Sequence, residues 1–423
     1  MHGYRVSRPF DVLIIADDFT GACDTAAQFA SPGRPCRIVI EEPGARRDPG
    51  VRVVDTESRH ASPAQAAAVV RRVSSAAAID RSGWPALLYK KIDSTLRGNI
   101  AAELEALASV LPGRILIVAP AFPSTGRTTR GGLCLVHGVP VDETEFARDA
   151  RSPVRSARIA DLLGPAPARG CSSAELAGLL PGAGPGAAFV VDAETDPDLE
   201  RVASLVAEEP ARYIAVGSAG LAAAIARLSA RVDAGLRRPS VPVAGPTGSV
   251  APAVLGLVGS LSERSRRQVE VLRRQGRVVV VTLAEADRVF EALAGGGQAL
   301  VMTAPREGGE GRETRQGRGG REGRDDEAAL RYARALGAIA RRAAEEVPGV
   351  RLFLTGGDTA LAAVRALEAG VVDVHRQIVP GVPGITIPAL VADRRLTVTA
   401  VTKAGGFGDD ETIATAFRHL REE

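Results

Sequence analysis

The sequence predicts an α/β fold in two domains: an N-terminal doubly wound, mostly parallel sheet, and a C-terminal α/β domain. Three observations lead there. Short, continuously apolar runs alternate with helical patterns in the first half. A Pro-, Gly- and Ser-rich stretch then interrupts the chain, and a second alternation follows it. Strands that are apolar at every position, with helices between them, belong to parallel sheets covered on both faces.

The first strand is "DVLIIA" at 11–16, followed at once by an Ala-rich helix. "CRIVI" (36–40) and "VRVVDT" (51–56) come next, then a helix around Ser62–Ala78. "ALLYKKID" (86–93), a helix around Ile100–Val110 and "RILIVAP" (114–120) continue the pattern. "AAFVVDA" (187–193) and "RYIAVGS" (212–218) each precede a helical segment. The N-terminal domain is therefore expected over 1–232, with 233–250 as a linker. The second domain, 251–423, carries "AVLGLVGS", "RVVVVTL", "RLFLTGG", "GITIPALV" and "LTVTAVTKAGG" as strands. Within it, 306–327 is all glycine, charge and polar residues, too poor in apolar groups to offset the entropy of ordering. It reads as a disordered insertion. Interleaved acids and missing aromatics argue against an RGG-like nucleic-acid segment.

Composition narrows the function. The 423 residues are 45% hydrophobic and 24% charged, as in globular proteins. Lys+Arg number 53 against 50 Asp+Glu, a net charge of +3, too balanced for a nucleic-acid partner. Four cysteines, Cys23, Cys36, Cys134 and Cys171, lie far apart with no CxxC pair, which fits a reducing compartment. With no apolar signal core and no run of about 18 apolar residues, a cytoplasmic protein without a membrane partner is expected.

Ligands of open α/β sheets bind beyond the carboxyl ends of the strands. What each strand delivers there is thus informative. The first brings Asp17 and Asp18 with Thr20 and Gly21; the "VRVVDTESRH" strand brings Asp55, Thr56, Glu57, Ser58 and Arg59. "KKIDSTLRGN" supplies Lys90, Lys91, Asp93, Ser94, Arg97, Gly98 and Asn99. "VAPAFPSTGRTTRGG" adds Ser124, Thr125, Gly126, Arg127 and Thr128, and "VGSAGLA" adds Gly217, Ser218 and Gly220. Singly, these have simpler readings: Asp18 and Thr20 suit a helix cap, the cations a solvated loop, the glycines a tight turn. Together, they suit a small, polyhydroxylated anion. Arg and Lys hold a carboxylate, and a carboxylate beside a hydroxyl accepts its proton when that oxygen attacks phosphorus.

The second half carries glycine loops at strand ends. "FLTGGDTALAAV" places Gly356, Gly357, Asp358 and Thr359 before a helix. "TKAGGFGDDETI" places Lys403, Gly405, Gly406 and Gly408, and "LVGSLSERS" places Ser260 and Ser262. Such loops let backbone N–H groups approach phosphate oxygens. No GxxxxGK[ST] is present, so the chain has no P-loop, and GxGxxG is missing after the first strand, which argues against a nicotinamide enzyme.

In order along the chain, "IADDFTGACDTA", "DTESR", "YKKIDSTLRGN", "APAFPSTGRTT", "GVPVDETEFARD", "VGSAGLA", "LTGGDTA" and "TKAGGFG" resemble the four-carbon acid sugar kinase family. "KIDSTLRGN" is more similar to its threonate and erythronate kinases than to its 3-oxo-tetronate branch. The resemblance implies a sugar-acid-binding N-terminal domain and an ATP-binding C-terminal domain that close on each other, ATP and Mg2+ as cofactors, and a homodimer. It implies phosphorylation of the terminal hydroxyl of a tetronate to the 4-phosphate, with Asp17 or Asp18 as base and Asp93 as rival. Substrate contacts map onto Asp18, Arg59, Lys91, Asp93, Ser94, Arg97, Gly98 and Asn99. Nucleotide contacts map onto Ser260, Ser262, Gly356, Gly357, Asp358, Thr359 and Gly405. No metal ligand is assigned. A 3-oxo-tetronate kinase and a non-catalytic sugar-acid and nucleotide sensor are the alternatives. The family's last loop often reads KxGNFG, whereas Gly406 stands here in place of the Asn.

Overall fold

A computed structural model describes residues 11–30, 36–40, 51–78, 86–149, 151–164, 168–233, 251–260, 262–303 and 318–422. Most of the expected linker, from 234 on, and residues 306–317 of the expected insertion lie outside the described residues. Two compact units divide the chain at Ser240 and Val241.

In the first unit the chain runs through β1 (Val12–Ala16), α1 (Phe19–Phe29), β2 (Cys36–Ile40), β3 (Val51–Asp55), α2 (Pro63–Ala78), β4 (Leu87–Lys91), α3 (Ile100–Val110) and β5 (Ile115–Ala119). A small antiparallel sheet follows, of β6 (Arg127–Arg130), β7 (Leu133–Val136) and β8 (Val139–Pro140). Next are β9 (Ala168–Ser172), α4 (Leu176–Leu179), β10 (Ala188–Asp192), α5 (Asp196–Glu208), β11 (Tyr213–Gly217) and α6 (Ala219–Asp233). The main strands lie in the order β2-β3-β1-β4-β11-β5-β10-β9, all parallel.

The continuous apolar runs have the cause the sequence suggests. β1, β3, β4, β5 and β11 are buried at every position because helices cover both faces. Alternation splits their side chains: Leu13, Ile15, Leu88, Leu116 and Val118 share a core with Leu104 and Leu107 of α3. The opposite face is covered by α1 and α6, which pack together.

The turn chemistry is local. Asp18, in extended backbone, accepts the Gly21 N–H and starts α1. Thr195 and Asp198 form a reciprocal capping box at α5. The 124–128 stretch, read above as a strand-end ligand loop, instead leads into β6, and its turn with β7 is clamped by Asp192, which accepts Gly131 and Gly132 N–H at 2.8 and 2.9 Å. Gly217 and Gly220 are packing glycines: a Cβ at either would lie 2.7 and 2.3 Å from the carbonyl oxygens of Ala119 and Ala121.

The second unit holds β12 (Val254–Val258), α7 (Glu263–Arg274), β13 (Val279–Thr282), α8 (Arg288–Ala294), β14 (Gln298–Met302), α9 (Arg318–Glu346), β15 (Arg351–Thr355) and α10 (Gly357–Ala366). It ends with β16 (Val371–Val379), β17 (Val382–Val391), β18 (Arg394–Lys403) and α11 (Thr412–Glu422). The order is β13-β14-β12-β15-β18-β17-β16, parallel as far as β18 and antiparallel beyond it. Ala392 and Asp393, both at positive φ, make the two-residue hairpin between β17 and β18. Phe353 of β15 packs on Phe417 of α11, centroids 5.7 Å apart.

The start of α9 also departs from the sequence reading. From Arg318 the charged segment is already α-helical, so over 318–327 the expected disorder gives way to the first turns of α9. Ala333, Leu336, Ala340 and Ala343 bury one stripe of this helix. Once that stripe nucleates the helix, backward extension adds a hydrogen bond per residue fixed, although Gly319, Gly320 and Gly323 weaken these first turns.

Candidate active site

In the first unit the chain leaves β1 for β2 and β3 on one side, then returns to β4 on the other. The crevice beyond the carboxyl ends of β1 and β4 is therefore the topological switch point, where such sheets bind ligands. β1 delivers Asp17 and Asp18, β3 delivers Thr56 to Arg59, and β4 delivers Lys91, Asp93 and Ser94.

Asp17 and Asp18 do different work. Arg59 donates from Nε and Nη2 to the two oxygens of Asp17 at 2.8 and 3.0 Å. The same Nη2 reaches Asp18 Oδ1 at 2.6 Å, and Asp93 Oδ1 lies 3.8 Å from it. Asp18 also caps α1 through Gly21 N–H (3.1 Å) and accepts the Thr20 hydroxyl at 2.8 Å. One aspartate is thus forked by arginine, and its neighbour is a helix cap that shares the same arginine.

A second fork stands alongside. Arg97 donates to both oxygens of Asp93 at 2.9 and 3.1 Å, and to Asp149 at 3.2 Å. Its guanidinium also lies 5.3 Å from the ring centre of Phe146. Burial alone would raise both carboxyl groups. The Arg59 guanidinium nevertheless holds Asp17 below its ordinary value, and Arg97 with Arg59 holds Asp93 well below. Nε and Nη2 of Arg59 and all three guanidinium nitrogens of Arg97 are accordingly engaged by carboxylates of the protein.

The adjacent lysines point to opposite faces of β4, as strand geometry requires. Lys90, fully buried, pairs with Glu103 of α3 at 2.8 Å and donates to the Lys91 carbonyl. Ser58 donates to the other Glu103 oxygen, which fastens the β3 loop to the pair. The side chain of Lys91, a residue 4% exposed, makes no hydrogen bond or close ion pair with any described residue. Ser94 likewise spends no side-chain hydrogen bond. Lys91 and Ser94 are the groups with chemistry to offer.

Two glycines keep this space open. A Cβ on Gly21 would lie 2.3 Å from Asp18 Oδ1 and 2.8 Å from Lys91 Nζ. Gly98, at φ +102°, would put a Cβ 3.1 Å from Asp17 Oδ2. Asn99, read as a ligand contact, donates instead to the Ser58 and Ala61 carbonyls at 2.8 and 2.9 Å, where it holds the Arg59 turn.

The second unit repeats the arrangement: β12 leads away to β13 and β14, and β15 lies on its other side. Ser260, the Gly356–Thr359 turn and Gly405 follow the parallel strands β12, β15 and β18. The three loops touch. A Cβ on Gly405 would lie 2.2 Å from Ser260 Oγ, one on Gly356 3.4 Å from Ser260 N, and one on Gly259 1.9 Å from Thr359 Oγ1. Ser262 caps α7 and donates to the Gly405 carbonyl at 2.9 Å. Gly357, Asp358 and Thr359 form the first turn of α10, where N–H groups lack helical partners. Nothing lies within 4 Å of a Cβ on Gly406, so this departure from KxGNFG leaves open space and keeps the backbone loop.

Sequence reasoning missed Glu103, Asp149, Ser265 and Gln268. Glu103 was the most readable of them: it sits on the apolar stripe of Ile100, Leu104 and Leu107, and a lone acid there needs a buried cation. Asp149 lies 52 residues from Arg97, and no local signal links the two. Asp55, fully buried, was named at its strand end, but its environment was not foreseen; burial, then Glu57 and Asp18, push its carboxyl well above the ordinary range. Among the described residues no three His, Cys, Asp or Glu side chains group as a metal cage, and no helix is long and apolar enough to cross a membrane.

A family model described as a sugar-binding N-terminal domain matches residues 12–225, and one described as a nucleotide-binding C-terminal domain matches 255–413. The chain is 33% identical to a D-threonate kinase of Salmonella typhimurium over 97% of its own length and 98% of the relative's. It is 36% identical to a D-threonate kinase of Bordetella bronchiseptica over 97% of each. A solved structure from Salmonella typhimurium LT2 superposes with a TM-score of 0.73 at 22% identity, over 97% of this chain and 99% of that one, a likeness of fold.

Proposed function

Because the chain belongs to the four-carbon acid sugar kinase family, we propose that it phosphorylates the terminal hydroxyl of a tetronate of the threonate or erythronate type, with ATP as donor. The observation that carries this reading is the pairing of Lys91 with Ser94 at the β1/β4 switch point. Both are buried, polar and without a protein partner, beside carboxylates already neutralised by arginine. An incoming carboxylate finds one cation unspent, and a hydroxyl finds Ser94.

Lys91 holds the substrate carboxylate, and Ser94 and Asp18 bind hydroxyls. Asp17 and Asp93 are poor bases, since an arginine fork on both oxygens favours the ionised form, whereas Arg59 reaches only one oxygen of Asp18. Asp18 has the most exposed side chain of the three, at 14% against 4% and 11%, and accepts the proton of the attacking hydroxyl. That oxygen forms a bond to the γ-phosphorus, the bond from this phosphorus to the bridging β–γ oxygen breaks, and ADP leaves. Phosphoryl transfer asks mainly for positioning and charge neutralisation, so a weak base suffices.

In the second unit the phosphates lie on the N–H groups of the Gly356–Thr359 turn and the Gly405–Gly408 loop, with Ser260 beside them. Mg2+ in kinases takes one or two carboxylates and completes its shell with phosphate and water. Asp358, at the start of α10, fits that need without a protein cage. When bound, the ion neutralises phosphate charge.

The test is ADP release in a coupled assay with D-threonate, D-erythronate and their enantiomers. Saturable ADP release matched by phosphorylated acid is expected with at least one. No release above the acid-free background across this panel would sink the reading. Gly21→Ala is expected to lower kcat/KM for the acid about a hundredfold, because a methyl group between Asp18 and Lys91 displaces both. Initial rates against acid concentration check this, and a wild-type kcat/KM would place the substrate elsewhere.

A further inference from the structure

β18 ends on Lys403, whose side chain is fully buried without a carboxylate partner. Its ammonium donates to the carbonyl oxygens of Ala404 (3.0 Å), Gly405 (2.9 Å) and Phe407 (3.2 Å). Two groups on α7 pull the same way. Ser265 donates to the Gly405 carbonyl at 2.9 Å, and Gln268 donates to the carbonyls of Phe407 at 3.1 Å and Asp409 at 2.5 Å.

A trans peptide points its C=O and the following N–H in opposite directions. With the carbonyls of Ala404, Gly405 and Phe407 drawn inward, the N–H groups of Gly405, Gly406 and Gly408 turn outward. None of these three N–H groups has an acceptor among the described residues. Successive outward amides form a nest for an anion. An ammonium has three N–H donors, and here each is spent on a carbonyl, so none remains for a ligand.

We propose that Lys403 is a positioning residue for the nucleotide: by gathering the loop carbonyls it aims the amides of Gly405, Gly406 and Gly408 at phosphate oxygens, without touching them. This rests on the ATP-binding role proposed above. Neutral Lys403 would have two donors and no charge to hold three carbonyls. Burial, with Arg264 of α7 adding like charge, pushes its pKa down to about 7. Arg264 is itself paired to Asp410 at 3.5 Å, while β15 presents only uncharged Thr355 at this end. The protonated fraction therefore falls as pH rises through that value. Phosphate charge nearby favours the protonated form, so ATP binding takes up protons above neutral pH.

The experiment compares wild type, Lys403→Met and Ser265→Ala by steady-state kinetics from pH 6 to 9 and by calorimetric titration with ATP. Lys403→Met is expected to raise KM for ATP about tenfold or more while kcat and the KM for the acid stay within about twofold. The wild-type rise of KM for ATP with pH should vanish in this variant. Ser265→Ala, which removes one of the donors on the Gly405 carbonyl, should raise KM for ATP about threefold and keeps the test open if Lys403→Met does not fold. ATP affinity equal to wild type in the variants would overturn the positioning role. Failure of the wild type to bind ATP would instead overturn the kinase reading.

Discussion

Lys91→Met should lower kcat/KM for the sugar acid by a factor on the order of a hundred to a thousand and leave the thermal midpoint unchanged or higher. Those two effects seldom go together. A lysine in an ion pair is destabilising to remove, because it leaves its partner charged and buried. Lys91 has no such partner, so methionine keeps its apolar stem and removes the cost of a desolvated ammonium. The Lys91 charge lies near Asp17 and Asp93, which Arg59 and Arg97 already hold ionised. Scanning calorimetry beside initial-rate kinetics checks both halves; a large loss of stability with intact kcat/KM would make Lys91 a structural residue.

Arg59→Ala is expected to act in the opposite way. It strips Asp17 of both its donors, Asp18 of one and Asp93 of a neighbouring charge, all in a largely buried site. Breaking one buried ion pair typically costs about 3–5 kcal/mol, so this variant should lose that much stability as well as activity. The pH dependence follows from the folded pKa of Asp17, which lies below its unfolded value. Such a group contributes stability that is present above the unfolded pKa and lost as pH falls through the folded one. Without Arg59, burial of Asp17 is opposed only by the charges of Lys90 and Lys91, so the variant's stability deficit should be largest near neutral pH and shrink as pH falls below the ordinary carboxylate range. Urea unfolding at pH 7 and pH 3 measures this; equal stability of variant and wild type at both would contradict the fork.

The sequence disclosed much of this arrangement because strand ends are short-range features. The apolar runs located β1, β3 and β4, and the residues after them, Asp17, Arg59 and Lys91, fell where a parallel sheet opens its crevice. Division of labour among those residues was not legible. "YKK" gives no hint that Lys90 turns into the core and Lys91 to the opposite face of β4 until strand alternation and Glu103 of α3 are set against it. Nor does any local pattern reveal that Arg59 and Arg97 are committed to Asp17, Asp93 and Asp149, since these pairings span up to 52 residues. The β6–β8 sheet was missed for a related reason: "GRTTR" and "LCLV" are too short to show a period. β16 was hidden by His375 and Arg376, exposed positions on a strand buried only in part.

The central claim is that a tetronate carboxylate binds Lys91 at the β1/β4 switch point. A crystal structure of the wild type with bound D-threonate tests it most directly. A carboxylate oxygen within about 3.2 Å of Lys91 Nζ and a hydroxyl on Ser94 Oγ are the predicted contacts. A ligand bound away from β4, or with its carboxylate on Arg59 or Arg97 and Lys91 untouched, would contradict the account.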